Sequence, residues 1–214
     1  MPGSATMPRR FRLLTDAEWT IVTRVFTADK LPYRWRVVIT DGAGAYGRPF
    51  TIPTSLLTTA APAAFVAAVT KNPLVAAIVA VPTGIVGTAL SFMNAGFIMS
   101  VGTGPYADLT ARDRSDQEAD CAALLVHEMT HVWQGRNSKL ALTYVWESVI
   151  AQCRGAISGG GTGAAYDYTP GMAWTSMNPE QQAHAVEDWF WQDAESATVQ
   201  RFDYIRDFVR KGRP

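Results

Sequence analysis

Two histidines four residues apart, His127 and His131, sit inside the apolar run "AALLVHEMTHVWQG" (residues 122–135), with Glu128 directly after the first. This arrangement constrains the fold more than any other feature of the chain. Only a helix puts residues at this spacing on one face: four steps turn it by about 400°, leaving the two imidazoles roughly 40° and one turn apart. Beside Leu124, Leu125, Val126 and Val132, such polar groups must find partners, because burying them unpaired costs roughly several kcal/mol. A core helix with two satisfied histidines and a surface glutamate would be the plain reading. A divalent cation held by both rings explains all three residues together.

The pattern is H-E-x-x-H, in which two imidazoles reach one zinc ion. The intervening glutamate, rotated by about 100° toward the His131 side, takes a proton from a water that the ion activates. Zinc of this kind needs a third protein ligand and keeps its fourth position for water. The stretch "NPEQQAHAVEDWF" supplies candidates: Glu180, His184 and Glu187 recur at spacings of four and three and so share one helical stripe. His184 is attractive because imidazole is a good zinc ligand; its alternative is a histidine packed beside the site.

The rest of the chain reads as one domain over residues 1–214, with 1–14 flexible. Thr15-Asp16-Ala17-Glu18 is a capping box opening a helix to about Phe26. In "YRWRVVIT", Trp35, Val37 and Ile39 alternate with Arg34, Arg36 and Val38, which predicts a half-buried strand. "DGAGAYGRP" is a turn, "FTIP" a second strand, and "AGFIMSVG" a third. Ser115-Asp116-Gln117-Glu118 is a further capping box, predicting that the histidine helix runs from there to Gln134 and ends at Gly135. "LALTYVWESVIAQC" predicts another helix, Asn178-Pro179 starts the helix of the third-ligand candidates, and "VQRFDYIRDFVRK" forms the last, ending near Gly212.

Residues 72–107 carry no charged side chain, and 74–93 are long enough to span a bilayer. Pro82, Gly84 and Gly87 near the centre, the share of Ala and Thr, and Lys71 as the sole basic flank favour an apolar helical insertion (56–95) broken at "VPTG" over membrane insertion. Nineteen basic residues balance nineteen acidic ones. No long-range field then draws the chain to nucleic acid or anionic lipid. Two cysteines, Cys121 and Cys153, without a CxxC pair, read as buried thiols of a chain made in a reducing compartment. "MPGSATMPRRFRLL" has no apolar region after its basic residues, so a cytoplasmic product, exported if at all without a cleaved signal, is expected. Trp133, Trp174, Trp189 and Trp191 read as core rather than as a binding platform.

"HEMTHVWQ" followed by "NPEQQAHAVEDWF", with the "DG-G--GRPFTIP" stretch from Asp41, resembles the zincin-like metallopeptidases, in particular the bacterial Vgr-related group. The resemblance covers most of residues 37–191. It implies an α+β fold, mainly helical, with a small mixed or antiparallel sheet packed on the H-E-x-x-H helix. It implies a zinc cofactor and a peptide or protein substrate. Glu180 maps onto the third ligand of glutamate-type zincins, joining His127 and His131, with Glu128 as general base. His184 falls where the motif varies, and Asp188 on an aspartate that would orient a ligand imidazole. Tyr166 and Tyr168, just before the third-ligand helix, are candidates for the oxyanion donor that a peptidase needs, the alternative being surface or packing tyrosines. By the same analogy, "GFIMSVG" would be the edge strand on which a peptide substrate pairs. A second expectation is an effector or accessory protein of a contractile secretion apparatus, with an immunity or apparatus partner, in which the zinc is structural.

Overall fold

The structure is a computed structural model of the chain and describes residues 9–42, 49–54, 96–138, 167–192 and 201–214. The fold is α+β, as expected. Its backbone gathers into two compact units, Met1–Thr15 with Tyr33–Asp108, and Asp16–Pro32 with Leu109–Pro214.

The first unit is built on a mixed four-stranded sheet of order β1-β2-β4-β3, from β1 (Phe11–Leu13), β2 (Val37–Thr40), β3 (Phe50–Pro53) and β4 (Phe97–Ser100). β1 runs antiparallel to β2 with Phe11 opposite Thr40, and β2 parallel to β4 with Val37 opposite Phe97. β3 closes the other side antiparallel to β4, Phe50 facing Ser100. Its Pro53 sits on an edge strand, where a missing N–H is tolerated. Three expectations change here. Residues 11–13, read as part of a flexible arm, are a paired strand, anchored where the Asp41 carboxylate accepts from the backbone N–H groups of Arg9 (2.7 Å) and Arg10 (2.9 Å). The strand read from the alternation in "YRWRVVIT" is shorter: residues 34–36 form a 3-10 turn, and β2 is buried along its whole length. A central strand covered on both faces needs continuous rather than alternating hydrophobicity. Finally, β4 lies between β2 and β3, with partners on both sides. It therefore offers no free edge to a peptide, and among the described residues the edge strands are β1 and β3.

The second unit is helical: α1 (Asp16–Val25), α2 (Cys121–Asn137), α3 (Pro179–Trp191) and α4 (Arg201–Asp207). α2 packs against both α3 and α1, and α3 against α4. The aromatic residues form this unit's core. Trp133 meets Trp174 edge-on at 6.3 Å between centroids, Trp174 stacks on Phe208 at 5.6 Å, and Phe26 and Phe202 lie against Trp133 and Trp189. Trp133, Trp174 and Trp189 are buried as expected, whereas Trp191 is half-buried with its indole N–H on the Asp113 carbonyl.

α2 begins later and ends later than its sequence signals indicate. Asp113 Oδ1 accepts from Ser115 N, Ser115 Oγ and Asp116 N, and Asp116 from Glu118 N, so the Ser115–Glu118 stretch spends its donors on local turns. Asp120 caps the helix instead, accepting from Ala123 N at 2.8 Å. At the other end Gly135 lies inside the helix, which continues because Asn137 Nδ2 bonds the Lys30 carbonyl (2.9 Å) as well as that of Trp133. A tertiary partner overrides the glycine stop. α3 starts where predicted, with Asn178 and Gln181 capping each other reciprocally. After α4, a 3-10 turn at Val209–Lys211 closes on Gly212. Its φ of 66° and a Cβ position only 2.9 Å from both Asn137 Oδ1 and Lys30 Cδ require glycine.

The predicted helix of residues 140–153, the apolar segment 56–95, Cys153 and Tyr166 lie outside the described residues. Cys121 is half-buried at the start of α2, not fully buried. Among the described residues no helix is long and apolar enough to cross a membrane.

Candidate metal centre

α2 contributes His127, Glu128, His131 and Gln134, all buried, and α3 contributes Glu180 from its first turn. The pairing of these two helices brings together residues some fifty positions apart. His131 Nε2 lies 3.4 Å and His127 Nε2 3.6 Å from the same carboxylate oxygen, Glu180 Oε2. Both separations exceed a good hydrogen bond. They match the distance of about 3.4 Å that separates two ligand atoms held tetrahedrally at zinc bond lengths of about 2.0–2.2 Å. His127, His131 and Glu180 together present three buried ligand atoms within 4.8 Å of one another.

The far sides of both rings determine what the near sides offer. His127 Nδ1 is 2.8 Å from Glu187 Oε2, and His131 Nδ1 is 2.9 Å from Gln134 Oε1. Gln134 cannot be turned round, because its Nε2 donates to the Pro179 carbonyl (3.0 Å) and to Gln182 Oε1 (2.9 Å). Gln182 is held in turn by donating to the Trp174 carbonyl. Facing a carboxylate and an amide oxygen, each imidazole carries its proton on Nδ1 and turns the Nε2 lone pair toward Glu180. Two lone pairs and a carboxylate converging in a buried space repel one another unless a cation lies among them. The donor set, two imidazoles and one carboxylate, suits zinc.

Without a metal, protons take that part. Burial opposes charge on His127, but Glu180 and Glu187 outweigh it and raise its pKa well above the ordinary 6.5. His131 is raised in the same way, chiefly by Glu180. Burial would raise Glu180, yet His131 and His127 pull it far below the usual 4.5, and His127 and His184 bring Glu187 to about 2. The carboxylates therefore contribute stability above about pH 4.5 that is lost as pH falls through their depressed values. The histidines contribute stability below about 6.5 that is lost as pH rises through their elevated values. Metal-free protein should accordingly show its highest melting temperature between about pH 4.5 and 6.5, declining on either side. Metal affinity should move the other way, weakening steadily from neutral pH downward as protons compete for the same nitrogens. Calorimetric scans of chelator-treated protein, set beside zinc titrations at several pH values, check both signs.

The remaining candidates are placed elsewhere. His184 is not in the trio; its Nδ1 lies 3.3 Å from Glu187 Oε2 and its ring meets Tyr168 edge-on at 6.0 Å. Asp188 is not among the carboxylates of the trio and lies beside His184, its Oδ1 3.6 Å from His184 Nε2. It accepts from Gln117 Nε2 (2.9 Å) and Tyr168 OH (2.8 Å), and pairs with Arg201 Nη2 (3.1 Å). Glu187, one residue earlier, is the carboxylate that the packing of α3 on α2 brings to His127 Nδ1. The Tyr168 hydroxyl is engaged by Asp188 and Arg201, and burial with Asp188 raises its pKa. Gln134, which meets His131 Nδ1, is not singled out by the H-E-x-x-H spacing, although its place three residues past His131, on the same helical face, is the signal it carries.

Removing these outer supports should loosen the metal without abolishing the site. Glu187→Ala and Gln134→Ala are each expected to weaken zinc binding roughly 10–100-fold, read by competition with a chromophoric chelator. An unchanged affinity in both variants would show that the rings hold their orientation without these partners. No protein-family model, curated protein or solved structure matches this chain, and the resemblance stands on the motif residues themselves.

Proposed function

We propose that the chain is a zinc-dependent peptidase of zincin-like type, with His127, His131 and Glu180 holding the ion and Glu128 as general base. The observation that carries this reading is the convergence of two Nε2 atoms on one Glu180 oxygen at tetrahedral ligand spacing, both rings being locked from behind. Zinc bound there would polarise a peptide carbonyl and bring the pKa of its water near neutrality.

The protein's own groups would do the rest. Glu187 and Gln134 keep the imidazoles in the tautomer that offers Nε2. Glu128, buried beside His127, takes the proton of the attacking water and returns it to the departing amine nitrogen. Its burial removes competing solvent, which strengthens every charge interaction it makes there. The test begins with elemental analysis of purified protein before and after chelation, where about one zinc per chain is expected. It continues with hydrolysis of a mixed fluorogenic peptide library, which chelation should abolish and zinc restore. Protein that takes up no zinc after dialysis against the ion would end this reading.

A further inference from the structure

Behind the proposed zinc ligands lies a second convergence of ligating atoms. Glu187 Oε2 is approached by two imidazole nitrogens at once, His127 Nδ1 at 2.8 Å and His184 Nδ1 at 3.3 Å. The three residues present ligand atoms within 4.8 Å of one another. One carboxylate oxygen between two imidazole nitrogens is what a metal ion of the zinc series selects; calcium and magnesium favour oxygen ligands throughout. The group is also reachable from solvent, with the His184 side chain 34% exposed and that of Glu187 14%. On the other side of the His184 ring, Asp188 Oδ1 lies 3.6 Å from Nε2.

We propose that His184 Nδ1, Glu187 Oε2 and His127 Nδ1 form a second, weaker site for zinc or a related transition-metal dication, one that regulates the first. The proposal rests on the reading of His127, His131 and Glu180 as a zinc site. The distances explain the order of filling. His184 and Glu187 already stand near the spacing of about 3.4 Å for two tetrahedral zinc ligands. His127 and Glu187 stand closer than that and must part by about half an ångström, giving up their hydrogen bond. On entry of the second ion the Nδ1 proton of His127 leaves to solvent, and the ring bridges the two cations. Repulsion between two dications sharing one ring further weakens the second site relative to the first. Once its carboxylate is taken, Glu187 no longer supports His127 as a ligand. Excess zinc should therefore lower turnover, whereas the first equivalent is required for it.

Equilibrium dialysis of the full chain against Zn2+ alone reads the stoichiometry directly. The wild-type protein should bind one equivalent tightly and a second more weakly, and His184→Ala should lose the second while keeping the first. Cadmium-113 NMR of the wild-type protein loaded with two equivalents of Cd2+ should show two resonances, an independent count should the variant fail to fold. Wild-type protein that saturates at a single equivalent, or a folded His184→Ala variant that still takes two, would overturn the second site and leave the first standing. A wild-type chain that takes none would overturn both.

Discussion

Glu128→Gln is expected to keep its zinc and to hydrolyse peptides roughly 10²–10⁴-fold more slowly, the range in which a positioned general base contributes. The exchange keeps the size and shape of the side chain and removes only its capacity to take a proton. Glu128 is buried on α2 between His127 and His131, so the amide occupies the same space. Because Glu128 lies outside the ligand trio, metal content should not change. Metal analysis and library hydrolysis measured on the same preparation separate the two roles. Undiminished turnover in the variant would remove the glutamate from the mechanism. Lost zinc would show that Glu128 supports the ion rather than the water.

Glu180→Ala should have the largest effect on binding. Structural zinc sites bind with about 10–16 kcal/mol shared among their ligands, so each ligand is worth about 3 kcal/mol, a loss of roughly 100–1,000-fold in affinity. The loss has a second consequence in the metal-free chain. Glu180 is the chief neighbour raising His131 and contributes strongly to His127, so its removal lowers both histidines toward burial-suppressed values. The stability that protonated histidines contribute below about pH 6.5 should then shrink, and the fall of the melting temperature above that pH should flatten. His184→Ala should keep the tightly bound equivalent. If instead His184→Ala loses that equivalent while Glu180→Ala retains it, the assignment of the third ligand is reversed.

Much of this site is legible in the chain of residues. The four-residue spacing of His127 and His131 in an apolar run leaves one local geometry, because helical periodicity is a property of the backbone alone. Glu180 is reachable because Asn178-Pro179 marks a helix start, which puts residue 180 in its first turn; the choice among Glu180, His184 and Glu187 comes from motif resemblance. The roles of Glu187 and Asp188 are not reachable in this way. They differ by one step of about 100° around α3, and only the packing of α3 on α2 decides which carboxylate meets His127 Nδ1. The fate of Tyr168 is equally hidden, since Arg201 and Asp188 reach it from two different helices.

The same division holds for the backbone. Local signals such as the Asn178 cap, the run in β4 and the start of α1 are sound where nothing distant competes with them. They fail where a distant partner does: Gly135 is carried through α2 by the contact of Asn137 with Lys30, and β4 is an interior strand because β2 and β3 both pair with it. Spacing and chemical type are written residue by residue, and they suffice to say which side chains can share a helical face and which can ligate a cation. Which faces then meet is settled in three dimensions, because it depends on burying several helices and strands at once, and no single stretch of residues contains that information.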